Sequence, residues 1–243
     1  MGTENAAPLL HALVRMTRPR RVLEVGLGYT TLFLLDALAK AARDHREDRA
    51  LVRGGAKSAR RSVLDERAVD TDYAPLLIGI DDFSLAGSSA EKTAAAAERL
   101  GLAGLMKLAP GDFRDAIPKI ARSDLPFDLI WFDCGGPADY ADFLALCWPL
   151  LSANYGLLAL HFTYWPKTAA SAKPATFLLP GAILNEIKRQ EARQADKARF
   201  EVLSLLEPYK IRQGSVTLIR KLPPQDRLRD EAFGEAPFDL GKG

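Results

Sequence analysis

A chain of 243 residues, 48% of them hydrophobic, has the apolar material for one large α/β domain or two small ones. Its formal net charge of +2 excludes a protein that binds polyanions over its whole surface. Two cysteines, Cys134 and Cys147, are too few for a disulfide framework and fit a reducing compartment. No apolar run approaches the roughly 20 residues of a membrane span, and the start lacks a basic-then-apolar signal pattern. A cytoplasmic protein with no membrane segment is the expectation, and no internal repeat is visible.

Residues 6–17 place apolar side chains at helical spacing, with Pro8 suited to the first turn and Arg18-Pro19-Arg20 ending the helix. A strand follows over 21–26. Val22-Leu23-Glu24-Val25 leads into Gly26-Leu27-Gly28, and Tyr29-Thr30-Thr31 opens an apolar helix. Lacking Cβ atoms, Gly26 and Gly28 let a ligand approach the main chain at the bend. The stripe Leu32, Leu35, Leu38 and Ala39 carries this helix to about residue 43. Residues 44–73 break the pattern. They are charged, contain Gly54-Gly55, and exceed the ~2–6 residues usual for such a link. They read as an insertion, either a disordered or partly helical surface loop or a lid or partner-binding segment.

A second strand, 75–80, ends in Asp81-Asp82. In doubly wound folds a carboxylate at this place accepts the ribose hydroxyls, although an Asp pair also makes a good turn or cap. Residues 88–100 form a helix capped by Ser88 or Ser89 and stopped by Gly101. A short strand at 106–109 precedes Gly111-Asp112-Phe113, where Asp112 can cap a helix over 113–121. A strand at 127–133, a helix at 138–150 and a strand at 156–160 follow. His161 to Pro166 then stand at the same edge as the glycine turn. A loop at 166–177, a helix at 178–195 and two β-rich runs, 200–206 and 215–219, complete a domain over 1–221. Residues 222–243, rich in Pro, Gly and charge, read as a tail.

Glu24-Val25-Gly26-Leu27-Gly28 resembles motif I of the class I S-adenosylmethionine (SAM) methyltransferases, whose core reads acidic-x-Gly-x-Gly. Phe127-Asp128-Leu129-Ile130-Trp131-Phe132-Asp133 is similar to the O-methyltransferase-like branch of the catechol and caffeoyl-CoA type. The resemblance implies an α/β, Rossmann-like doubly wound sheet of seven strands, mostly parallel with an antiparallel last strand and helices on both faces. It implies SAM as cofactor, with Glu24 near the methionine amino group and Gly26, Gly28, Tyr29 and Thr30 in the binding loop. It places Asp81 on the ribose, Asp82 and Phe83 beside ribose and adenine, and Asp112 on the adenine amino group. Phe113 packs on the ring, and Asp133 faces the transferred methyl.

The resemblance also bears on the chemistry. The metal-dependent members hold their ion with an acid after the fourth strand and an Asp-Asn pair after the fifth. Asp133 matches the acid, but His161 and Phe162 stand where the pair would be, and Phe cannot ligate. No metal site and no strict Mg²⁺ requirement are expected. His161 then becomes the candidate general base, with Asp133 orienting it or holding substrate; alternatively His161 only caps its strand. Tyr164 and Trp165, with Tyr29, are candidates for an aromatic substrate pocket. The reading is methyl transfer to a small-molecule acceptor, at oxygen, in a possible homodimer, with nucleic acid disfavoured because the Asn/Asp-Pro-Pro-aromatic loop is missing. N- or C-methylation of a small molecule or peptide stays open. So do a nicotinamide oxidoreductase, weakened because the third fingerprint glycine falls at Thr31, and a non-catalytic scaffold.

Overall fold

The structure is a computed structural model and describes residues 2–55, 60–83, 88–136, 139–163, 200–210 and 213–223. In chain order it runs α1 (Ala6–Thr17), β1 (Arg21–Val25), α2 (Tyr29–Arg53), α3 (Glu66–Val69), β2 (Leu76–Asp81) and α4 (Ala90–Arg99). It continues with β3 (Met106–Pro110), α5 (Phe113–Ala116), β4 (Leu129–Phe132), α6 (Asp139–Cys147), β5 (Leu157–His161), β6 (Phe200–Leu206) and β7 (Ser215–Lys221). The expected loop 166–177, helix 178–195 and the tail from 224 lie outside the described residues, as do Tyr164 and Trp165.

Seven strands form one sheet in the order β3-β2-β1-β4-β5-β7-β6. β3 to β5 pair in parallel, and β7 inserts antiparallel between β5 and β6. The expected fold class therefore holds. The central strands are buried on both faces, so they read as continuous apolar runs rather than alternations. On β1, Leu23 and Val25 enter one core with Ile130, Phe132, Phe143 and Leu144. Val22 enters the other core, with Leu34, Leu35, Leu38 and Trp131. Because side chains alternate across a strand, Glu24 shares the face of Val22, on the side that α2 covers.

Two predicted helices are shorter than expected, and in each a proline marks the place. α5 ends at Ala116 and passes into a 3₁₀ turn containing Pro118; α6 ends at Cys147 and does the same at Pro149. A proline supplies no N–H for an α-helical bond and tightens the turn.

α2, in contrast, runs to Arg53, well past the expected end at about 43. Its inward stripe does not stop there but changes chemistry: after Leu38, Ala41 and Ala42 the buried positions are His45 and Asp48. His45 Nε2 meets the Thr71 carbonyl at 2.8 Å. Asp48, 1% exposed, accepts from Arg18 at 2.7 Å and Arg60 at 2.6 Å. An apolar-periodicity reading cannot see a stripe that is polar and satisfied. The segment after α2 packs at the amino end of β1: Arg20 donates to Thr71 Oγ1 at 2.7 Å, and Tyr73 donates to the Pro19 carbonyl at 2.9 Å. The glycine turn lies at the other end of that strand. The described part of 44–73 thus packs at the end of the sheet opposite the glycine turn, and residues 56–59 lie outside the described residues.

Candidate functional site

The strand order reverses between β1 and β4, and ligands of open α/β sheets bind outside the carboxyl ends at such a point. Here those ends are tied together by main-chain bonds of 2.9 Å: Gly26 N–H to Ile80, Asp133 N–H to Val25, and Gly111 N–H to Asp81. Above them lies a cleft in two connected parts. One, of about 230 Å³, is lined by Asp81, Asp82, Asp112, Phe113, Arg114 and Asp139 among others. The other, of about 770 Å³, is lined by Thr3, Gly28, Tyr29, Leu32, Lys92 and Asp133 among others. Gly26, Asp81, Cys134 and Gly135 belong to both.

Gly26 has φ +92°, and a Cβ there would stand 2.4 Å from the Asp133 carbonyl oxygen. Its glycine is required by the approach of the β4 end as much as by a ligand. The Gly28 N–H bonds the Thr31 hydroxyl at 2.9 Å, so the residue that breaks the dinucleotide fingerprint is the one that closes this turn. Tyr29 lines the cleft, half exposed, against Phe33 at 5.0 Å between ring centroids.

Asp81 braces the loop rather than waiting free. Its carboxylate accepts the Leu27 N–H at 2.9 Å through one oxygen and the Phe83 N–H at 2.8 Å through the other. Each oxygen retains a lone pair toward the cleft it lines. Asp82 is exposed in the same wall, and Phe83 turns left-handed at φ 57°. Asp112 caps α5, accepting the Arg114 N–H at 2.7 Å, and also lines the cleft. Phe113 is 5% exposed and packs edge-on against Phe132 and Phe143, so it shows the cleft only one edge.

Two expected cofactor contacts stand one layer below the surface. Glu24 and Thr30 are 0% and 1% exposed. The Thr30 hydroxyl donates to Glu24 Oε1 at 2.7 Å and accepts from Trp131 Nε1 at 3.2 Å, while Glu24 Oε2 has no hydrogen-bond partner among the described residues. Burial, with added repulsion from the Asp133 and Asp81 carboxylates, raises the Glu24 pKa to about 8 against the pull of the Thr30 and Thr31 hydroxyls.

The pair expected to act on the acceptor is assembled, but with its roles altered. His161, 5% exposed at the end of β5, meets Asp133 Oδ1 through Nδ1 at 2.7 Å. Its Nε2 faces the Gln213 carbonyl at 3.2 Å. Burial disfavours the charged ring, yet Asp133 and the carbonyls of Gln213 and Gly2 outweigh it and raise the pKa. Both ring nitrogens face acceptors, which favours the protonated ring. In this arrangement neither nitrogen turns a lone pair to the cleft, the geometry of the strand-capping alternative. Asp133 is a quarter exposed and lines the cleft. Cys134 beside it is no ready nucleophile, because burial and the surrounding acids push its thiol up to about 12.

Sequence reasoning missed Arg114 and Asp139. Arg114 lies 4.4 Å from the centroid of the Phe113 ring and donates to Asp142 at 2.7 Å, to Asp112 at 3.3 Å, and to Asp139. Asp139 in turn accepts the Gly136 N–H at 2.6 Å and so fixes the loop after β4. Arg114 lies 25 residues from Asp139 and 28 from Asp142, with β4 between, and only the packing of α5 beside α6 unites them, so no local motif signals them.

The cofactor implied by the resemblance fits this cleft. An orphaned, buried carboxyl oxygen lies under the glycine loop, and two more carboxylates stand at the ends of the neighbouring strands, a setting for a cationic ligand. Among the described residues no group of three or more His, Cys, Asp or Glu is placed to hold a metal ion, and no helix is long and apolar enough to cross a membrane.

A doubly wound sheet with its cleft at the switch point and acids after successive strands defines a nucleoside-binding α/β protein. Residues 23–161 match the methyltransferase domain family, and the chain belongs to that family. No curated protein matches the chain. Among solved structures, it is similar to the O-methyltransferase TomG from Streptomyces achromogenes, involved in tomaymycin synthesis and crystallised with SAM. The identity is 18%, 90% of this chain and 80% of that chain are covered, and the TM-score is 0.58. An O-methyltransferase from Bacillus cereus in complex with SAH shares 14% identity over 90% of this chain and 81% of its own, with a TM-score of 0.56. An rRNA methylase from Streptococcus thermophilus shares 12% over 91% and 97%, with a TM-score of 0.51. At these identities the likeness is one of fold.

Proposed function

We propose that this protein moves a methyl group from SAM to an oxygen of a small-molecule acceptor, in the cytoplasm and without a strict Mg²⁺ requirement. The observation that carries the reading is the line of carboxylates at the switch point. Glu24, Asp81 and Asp133 end three adjacent strands around a glycine turn, inside a chain of the methyltransferase domain family. The O-methyltransferases among the similar folds, one crystallised with SAM and one in complex with SAH, support the choice of cofactor and of oxygen.

SAM supplies an already activated methyl group, so the chain's own task is binding, alignment and the handling of one proton. Asp81 keeps the loop closed and offers its remaining lone pairs to a ribose. Tyr29, Leu32 and Thr3 wall the larger part of the cleft, where an acceptor would rest. Asp133, with one oxygen held by His161, has its other oxygen to accept a hydroxyl proton or orient the hydroxyl, and His161 keeps that carboxylate in place. Independence from Mg²⁺ is supported by Phe162, which offers no donor, and by the His161 nitrogens, which both face acceptors.

Calorimetric titration of the purified protein with SAH, SAM and NADH, with and without EDTA, tests the reading. Micromolar binding of the two adenosyl ligands, unchanged by EDTA, is expected. Binding of NADH alone would replace it with an oxidoreductase.

A further inference from the structure

Three buried side-chain polar atoms lack a partner among the described residues, and Glu24 Oε2 is the one acceptor. The other two, Arg15 Nε and Arg49 Nε, belong to guanidinium groups anchored through other nitrogens on Asp44 and Asp72. A buried carboxyl with one oxygen satisfied and one bare is costly unless something completes it.

The surroundings say what completes it. From α2, Glu24 faces the hydroxyls of Thr30 and Thr31. From the ends of β2 and β4 it faces Asp81 and Asp133, and behind Asp133 stands His161. No cation among the described residues is paired with Glu24. Asp81 spends its oxygens on the N–H groups of Leu27 and Phe83, and Asp133 spends one on His161. Glu24 is 0% exposed and lines neither part of the cleft, whose wall includes Gly26 and Gly28 of the adjoining turn. Once its proton is lost, Glu24 therefore lacks a counter-charge among the described residues, next to a cleft that fits a cationic ligand.

Resting on the reading of SAM as methyl donor, we propose that Glu24 is a specificity-determining residue that reads the charge of the cofactor. The cationic donor enters in exchange for the Glu24 proton, and the demethylated product is released more readily because it no longer sustains that ionised carboxylate. The balance closes over a turnover. On binding, Glu24 gives one proton to solvent. On transfer, the acceptor hydroxyl loses its proton by way of Asp133 to solvent, and the sulfonium charge disappears with the methyl group. Glu24 then takes up one proton, so the buried site carries no extra charge in either state. With a carboxyl poised at about 8, the exchange operates in the neutral range.

The test is calorimetry at pH 7 in two buffers of different ionisation enthalpy, with SAM and SAH as ligands. Both ligands carry the same amino and carboxylate groups, so the sulfonium is the one charge that differs. SAM binding should release about one proton and SAH clearly fewer, and SAM affinity should rise up to about tenfold per pH unit from pH 6 to 7.5. Glu24→Gln keeps the shape and the Thr30 bond, and it should remove the buffer dependence and bring the SAM and SAH affinities together. Equal proton release by the two ligands in the unaltered protein, a measurement that needs no variant, would overturn the proposal. So would release that persists in Glu24→Gln. Failure of both ligands to bind would instead remove the donor reading itself, and the two failures are told apart in the first titration.

Discussion

The two ends of the sheet use the same charged residues to opposite effect. At the amino edge, where α2 runs on to Arg53, the buried acid Asp48 and the exposed acid Asp70 are both matched by arginines. Asp48 is held by Arg18 and Arg60, and Arg49 and Arg53 both reach Asp70. At the carboxyl edge, Glu24 is buried with a bare oxygen, and Asp81 and Asp133 crowd the same space. Pairing at the first end stabilises the fold. Under-pairing at the second costs stability and leaves room for a ligand to complete the electrostatics.

The contrast can be broken at either end. Asp48→Ala should have the largest effect on stability, since it removes a buried carboxylate that accepts charge-assisted bonds from Arg18 and Arg60, at a cost of about 2–3 kcal/mol. Denaturant unfolding measures it, and SAH affinity of the folded fraction should not change, because the cleft lies at the other edge. Asp81→Ala should do the reverse. Losing two backbone N–H partners costs about 1–3 kcal/mol of stability, while affinity for SAH should fall tenfold or more. A variant that binds SAH as the unaltered protein does would remove Asp81 from the site.

The smallest effect sharpens the comparison through pH. The folded pKa of His161 is raised by Asp133 and two carbonyls despite burial. Its contribution is therefore fully present below the unfolded value of ~6.5 and is lost as pH rises through the higher folded value. His161→Asn should destabilise by about 1–2 kcal/mol at pH 5.5, and the deficit should shrink toward pH 9. A deficit that grows with pH would mean that the ring is neutral in the folded protein and would restore it as a candidate base.

Much of this was legible in the chain itself. The β1–glycine–α2 unit, the acid after β2, Gly111-Asp112 and Asp133 all stand where the linear pattern put them, because each is a local signal beside a strand end. Legibility failed where the signal was not local or not apolar. α2 outran its apolar stripe because His45 and Asp48 continue the buried face with polar groups, whose partners Arg18, Arg60 and Thr71 no periodicity reveals. Arg114 and Asp139 escaped notice because their union depends on α5 and α6 lying side by side.

The order of strands and helices, the glycine turn and the set of acids at one edge belong to the sequence, since hydrophobic period and turn chemistry are written residue by residue. Whether a given side chain is a surface contact or a buried support was decided by tertiary packing alone. Glu24 and His161 show this most plainly. Their residue types announce a carboxylate and an imidazole near the site, but only the packed neighbours remove water from Glu24 and set acceptors at both nitrogens of His161. Desolvation and the geometry of partners set protonation, and neither is a property of residue type.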